Sequence, residues 1–257
     1  MKATLHLALA FGCCLLLASN AAAQRDDSAA LTAELAHLGA AAAELDHSLP
    51  SFTCQESVGS ELQRGKKTLR EAHFIATLRA KRGPTGKLDE TYTVTSLNGQ
   101  PFSGSTFDEP LYVAGGFDSA LRYFAPANQV CYNYKLSRNR IAFSSSLASS
   151  AHAGCNDEGL DGFALLDADG NITHLERHVS RQAVVYLHEA AFAAIDFTNV
   201  TLDGHTYRLS DHLLAQMPAG TFTGRFEASY TDCHLYKATV TFGPATEAQP
   251  DTTPPPQ

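Results

Sequence analysis

The sequence predicts a mainly β (α+β) protein built on one large curved antiparallel sheet, a half-barrel of about eleven strands. An N-terminal helix and a short second helix packed on the sheet are expected. Three observations carry this expectation. Apolar and polar residues alternate in long runs, most clearly where Phe222, Gly224, Phe226, Ala228 and Tyr230 interleave with Thr223, Arg225, Glu227, Ser229 and Thr231. That period of two belongs to a strand with one buried face. Tight-turn signals such as Asn98-Gly99 and Asp203-Gly204 separate the runs. Helical spacing is confined to two stretches, near residues 26–47 and 117–124.

The chain opens with Met1-Lys2, an apolar run from Leu5 to Ala18, and Ala21-Ala22-Ala23-Gln24. A basic start, an apolar centre and a small-residue exit describe a secretory signal over residues 1–23, cleaved near Ala23-Gln24. The mature chain is then exported, to the periplasm or beyond the cell. Cys13 sits inside the apolar run, where a lipid-modified cysteine is a weaker alternative. Residues 24–48 form the helical segment: Asp27 or Ser28 caps it, Leu31, Leu35 and Leu38 share a face, and Leu49-Pro50 ends it.

The half-barrel is expected over residues 49–243. Its first strand starts at Phe52 and Cys54, with a polar turn from Glu61 to Lys67. Phe74, Ala76, Leu78 and Ala80 mark the next strand, and Tyr92 and Val94 a third. Phe117, Ala120, Leu121 and Phe124 define the short helix. Val130, Tyr132, Tyr134 and Leu136 form a strand that turns at Ser137-Arg138-Asn139 into Ile141 and Phe143. Residues 148–158 read as a loop. Gly162–Leu166 and Ile172–Val179 flank an Asp167–Asn171 hairpin. Val184–Leu187, Ile195–Leu202 and Tyr207–Met217 are further strands. The last alternation is broken by a bend at Asp232-Cys233 and resumes at Tyr236 as a second long strand. Residues 244–257, rich in proline, have no core residue and are expected to lack structure.

The formal net charge is -8, and losing Lys2 makes the mature chain more negative. That argues against nucleic acid and anionic membrane surfaces as partners. After the leader no apolar run approaches the ~20 residues of a membrane helix, so contact with an envelope is peripheral at most. Oligomeric state is not encoded in any motif. Cys54, Cys131, Cys155 and Cys233 remain after the leader, an even set that argues for two disulfides in an oxidising compartment. Three pairings are open. Cys131 with Cys155 and Cys54 with Cys233 are favoured, because the first pair brackets a local excursion and the second ties the first strand to the last. In the chain-entropy description they contribute roughly 3.5 and 5 kcal/mol.

No catalytic motif emerges, and no cofactor or metal is expected. His188-Glu189-Ala190-Ala191-Phe192 lacks the second histidine of a zinc-protease helix. His174 and His178 would share a strand face and could reach a metal only with His188 or His205, so exposed strand histidines are favoured. Asp167, Asp169 and Asn171 imitate half a calcium loop, but Ile172 stands where glycine is needed. A hydrolase reading has only Asp196, Asp211 and His212 to offer, and the contiguous Ser210-Asp211-His212 is the wrong arrangement for a triad. The tyrosines are a stronger feature. Tyr132, Tyr134, Phe143, Phe222, Phe226 and Tyr230 fall at inward positions, where they either line an apolar ligand site with polar handles or form an ordinary aromatic core.

Several short stretches also carry a resemblance. A helix ends in Leu49-Pro50-Ser51-Phe52-Thr53-Cys54, then come Gly116-Phe117-Asp118-Ser119-Ala120-Leu121 with Phe124 behind it, the Asp-Gly hairpin, Val200–Tyr207, and Tyr230-Thr231-Asp232. Over roughly residues 30–243 this resembles a family of exported bacterial proteins laid out like the half-barrel of periplasmic lipoprotein carriers and the envelope-stress regulator domain (LolA/RseB-like). The resemblance implies helices plugging a concave sheet and a lipid or lipidated polypeptide as partner, with no catalytic residues. Cys131, Cys155 and the low basic content depart from it. The leading expectation is an exported, non-enzymatic binding protein holding an acyl chain or lipidated partner on the concave face. Its rival is an envelope interaction module with a packed core.

Overall fold

The structure is a computed structural model that describes residues 28–104, 107, 112–113, 116–145, 155, 159–179 and 192–236. Helix α1 covers residues 28–48. Eleven strands follow: β1 Phe52–Arg64, β2 Lys67–Arg82, β3 Leu88–Leu97, β4 Gln100–Pro101, β5 Asn133–Ser137, β6 Arg140–Ser144, β7 Leu160–Leu166, β8 Ile172–Val179, β9 Phe192–Leu202, β10 His205–Ala219 and β11 Phe222–Leu235. All pair antiparallel in one sheet of order β4-β3-β2-β1-β11-β10-β9-β8-β7-β6-β5. The order is a meander joined head to tail by the β1–β11 ladder. Its two edges, β4 and β5, are consecutive in sequence. Pairing them would close a barrel; they do not pair, and the described residues between Pro101 and Asn133, here the crossing segment, pack Phe107, Tyr112, Phe117 and Phe124 against the core.

Tight two-residue turns fix the meander. Asn98-Gly99 and Asp203-Gly204 both hold consecutive positive φ values, 49° and 78°, then 53° and 77°, as tight two-residue hairpins require. Gly65-Lys66 is equally short, so the polar turn expected from Glu61 to Lys67 is in fact strand up to Arg64. The alternation of buried and less buried positions on β1 runs from Phe52 to Ser60 and ends before it. The break at Asp232-Cys233 is likewise not a turn between two strands. Asp232 takes φ 52° and the register slips opposite Cys54, between Thr53↔His234 and Gln55↔Thr231. This bulge reverses the pleat, so Cys233 faces the same side as Cys54 and the two form a disulfide. Cys131 pairs with Cys155.

Helix α1 buries Leu38, Ala42, Leu45 and, just beyond it, Leu49, with Leu31 and Leu35 half-buried, the i, i+4, i+7 stripe of an amphipathic helix. Gly39 lets the helix approach the crossing segment. A Cβ there would stand 3.0 Å from Gln129 Nε2 and 3.3 Å from Pro126 Cγ. Arg82 on β2 holds the helix C-terminus: its guanidinium donates to Leu49 O at 2.7 Å and 2.9 Å and to Asp46 O at 2.8 Å. The short helix expected at residues 117–124 is a run of turns ending in a 3-10 turn, Arg122–Phe124. A second 3-10 turn, Gln129–Cys131, replaces the expected start of β5 at Val130. Both are too short to satisfy more than local hydrogen bonds. Their role is to carry Phe117, Leu121, Tyr123 and Phe124 into the core. The leader, the Val184–Leu187 strand, His188, most of the 148–158 loop and the proline-rich tail lie outside the described residues.

Candidate ligand-binding site

On β1 the inward positions read Phe52, Cys54, Glu56, Val58 and Ser60, all buried. One of the five is a carboxylic acid. Glu56 faces Tyr230 across β11 and Ala76 across β2. From the crossing segment, Tyr112 donates its hydroxyl to Glu56 Oε2 at 3.4 Å. The site is walled by rings. Tyr112 stacks on Tyr92 with centroids 4.1 Å apart and meets Phe226 edge-on at 5.5 Å. Phe117 meets Tyr230 at 4.9 Å and Phe52 at 5.2 Å.

This environment is hostile to charge. Burial, with a smaller contribution from the negative charge of Glu90, raises the Glu56 carboxyl from 4.5 to about 7, against the phenols of Tyr230 and Tyr112. Burial and the same two carboxylates push the phenols of Tyr112 and Tyr230 upward, so both remain donors. Hydrogen bonding is nevertheless incomplete. Glu56 is 0% exposed and Tyr230 3%, yet among the described residues neither Glu56 Oε1 nor Tyr230 Oη has a hydrogen-bond partner of ordinary length and angle, although the two groups are near enough for the Tyr230 phenol to favour the carboxylate. Leaving a buried polar atom unpaired costs about 1–3 kcal/mol. Glu90 spends its own oxygens elsewhere, accepting from Gly116 N at 3.0 Å and Phe117 N at 2.9 Å, and so anchors the crossing segment to β3.

The aromatic set expected from the sequence divides into three places. Phe226 and Tyr230 belong to the Glu56 site. Tyr132, Tyr134 and Phe143 form a second cluster with Tyr123 and Phe124 from the 3-10 turn, at centroid separations of 5.0–6.2 Å. There Tyr134 donates its hydroxyl to Tyr123 O, which completes its bonding. Phe222 stands apart near the β10–β11 hairpin, half-buried, with the Arg64 guanidinium 4.5 Å from its ring centre. Glu56, Tyr112 and Glu90 are not among the expected site residues, and Tyr92 is expected only as one of the strand tyrosines. For Glu56 the signal was present: a charged residue at an inward position of an alternating strand.

The outer face carries the histidines. His174 and His178 do share a face of β8, each beside carboxylates: His174 Nδ1 lies 2.7 Å from Asp196 and His178 Nε2 3.5 Å from Glu176. His205 pairs instead with Glu44 of α1 at 2.6 Å. Among the described residues no group of three or more such side chains is placed to hold a metal ion. His212 lies 3.7 Å from Asp196, but Asp211 is an exposed bulge residue and Ser210 is turned into the core, so the three do not converge as a triad. Asp167 is a turn residue whose Oδ1 accepts from the backbones of Asp169 and Asn171. Two clefts, of about 500 and 590 Å³, also open on the outer face, the first around Gly59, His73 and Arg225 and the second around Arg79, His234 and Tyr236.

Fold and site together define an open antiparallel half-barrel with described residues of one connecting segment packed on its core. Solved structures of similar layout, all at low identity, include a LolA superfamily protein from Nitrosomonas europaea (10% identity, TM-score 0.33, 79% of this chain and 94% of that one). They also include a DUF1329 family protein from Desulfovibrio piger (11%, 0.38, 82% and 94%) and a putative outer membrane lipoprotein-sorting protein domain from Vibrio parahaemolyticus (9%, 0.39, 77% and 90%). No family model and no curated protein sequence matches this chain. The site is therefore interpreted from this chain's own residues.

Proposed function

We propose that this is an exported, non-enzymatic binding protein that takes an amphiphile, an acyl chain or a lipidated polypeptide, on the concave face of its sheet. One observation carries the reading. Inside an aromatic wall, Glu56 Oε1 and Tyr230 Oη are buried and have no hydrogen-bond partner among the described residues, a polar handle set in apolar surroundings, as ligand sites of this kind use. The ligand's chain would be held by burial alone, at roughly 0.8 kcal/mol per methylene. It would occupy the space of the Tyr112 side chain, which is tied to Glu56 by a long 3.4 Å hydrogen bond. Two disulfides agree with an oxidising compartment, and among the described residues no helix is long and apolar enough to cross a membrane.

A photoactivatable acyl probe tests the reading. Crosslinks should map to peptides of β1, β11 and the crossing segment. Crosslinks confined to the outer clefts, around His73 or His234, would refute it. The competing reading, an interaction module with a fully packed interior, is favoured by the outward position of both clefts. It predicts no saturable crosslinking at all.

A further inference from the structure

We infer that the Glu56 site is selective for amphiphiles whose polar group is a protonated amine, and that it discriminates against carboxylate and phosphate head groups. This rests on the reading above and specifies its ligand. Among the described residues, every polar side chain that meets at the site is a carboxyl or a phenol. Glu56 lies on β1, Tyr230 on β11, Glu90 on β3 and Tyr112 on the crossing segment, while β2 contributes the apolar Ala76. Among the same residues the charged side chain acting on Glu56 is a second carboxylate, and the two carboxylates act on Tyr112 and Tyr230. An anionic head group would bring a further negative charge into this low-dielectric space without a cation to meet it.

An ammonium group would find complementary partners. Glu56 Oε1 and Tyr230 Oη are the acceptors at the site without a partner among the described residues, and an ammonium has donors for both. With Tyr112 displaced, the Tyr92 face it stacks on at 4.1 Å and the Phe226 ring it meets at 5.5 Å would be open to the cation and would attract it through their quadrupoles. Binding would also ionise Glu56. The ligand keeps its own proton, and the proton held by the Glu56 carboxyl passes to solvent. Complex formation below neutrality therefore releases about one proton from this group.

The experiment compares decylamine, decanoate and decanol, below their micelle or solubility limits, against the whole mature chain by calorimetry. At pH 6 the amine should bind more tightly than the carboxylate by at least roughly 10-fold, which is about 1.4 kcal/mol. Repeating the titration in buffers of different ionisation enthalpy should show a proton released by the wild type and none by Glu56→Gln, in which the preference for amine collapses. Tyr230→Phe should weaken amine binding and keep the proton release, which separates loss of an acceptor from loss of the fold. Equal or tighter binding of decanoate, or amine binding without proton release, overturns the selectivity. If decanol binds and the amine gains nothing over it, the selectivity fails while the binding reading stands. If none of the three binds, both fail.

Discussion

Replacing Glu56 with glutamine should make the protein more stable at alkaline pH while leaving it nearly unchanged in acid. The carboxyl is raised from 4.5 to about 7 in the folded chain, which disfavours its ionised form by roughly 3 kcal/mol. Its folded-state value lies above its unfolded one. The folded chain therefore holds the proton more tightly, and the associated stability is complete below pH 4.5 and lost as pH rises through about 7. Urea unfolding between pH 4.5 and 8.5, followed by far-UV circular dichroism and by tyrosine emission in a chain without tryptophan, reads this directly. Wild type should lose about 3 kcal/mol from this group across that range, and Glu56→Gln should not. Asp167, whose carboxylate accepts from two backbone N–H groups and faces Arg208, and Glu227, which bonds His212 and Arg225, are both lowered. Their stability is present above the usual carboxylate range and lost in acid, equally in both proteins, so it cancels in the difference. Parallel stability curves for the two proteins from pH 5 to 9 would refute the assignment of Glu56 as a buried, mostly neutral acid.

Three further outcomes follow from packing and covalent structure. Gly162→Ala should destabilise by about 2–3 kcal/mol, because its Cβ would run into the Glu176 carbonyl and stand 2.6 Å from the Phe143 ring; a thermal melt unchanged from wild type would contradict this. Arg82→Ala and Arg82→Lys should each cost roughly 2 kcal/mol, since no ammonium reproduces the fork that reaches Leu49 O and Asp46 O, and hydrogen exchange should rise at the end of α1. Removing the Cys54–Cys233 bridge, whose sequence separation is 179, should cost more than removing Cys131–Cys155, at 24, by about 1–2 kcal/mol in the chain-entropy description. Denaturant titration of the two double-serine variants checks the order.

The sheet was legible because its code is local. Alternation on β1, β2 and β11, and turn pairs such as Asn98-Gly99 and Asp203-Gly204, specify strands and hairpins within a few residues of one another. The disulfide pairing was legible through the same layout, once the first strand was placed beside the last. What misled the reading was a local pattern interrupted for a tertiary reason. Asp232 breaks the alternation as a hairpin would, yet it is a bulge that turns Cys233 toward Cys54. Phe117 to Phe124 has helical spacing, but the crossing segment is held by Glu90, Asp118 and Tyr134 and settles as turns. The site was only half legible. Phe226 and Tyr230 announce themselves by parity, whereas Tyr112 reaches Glu56 from a segment whose path depends on the whole sheet, and Phe222 has the right parity in the wrong place.

The central claim is that the concave face around Glu56 holds an amphiphile, and native mass spectrometry of the protein purified from its own host tests it most directly. Spectra before and after mild organic extraction should show an added mass of lipid size that extraction removes and a single-chain amine amphiphile restores. A bare chain mass before extraction, with no uptake of any single-chain amphiphile afterwards, would contradict the account and make the interior a packed core.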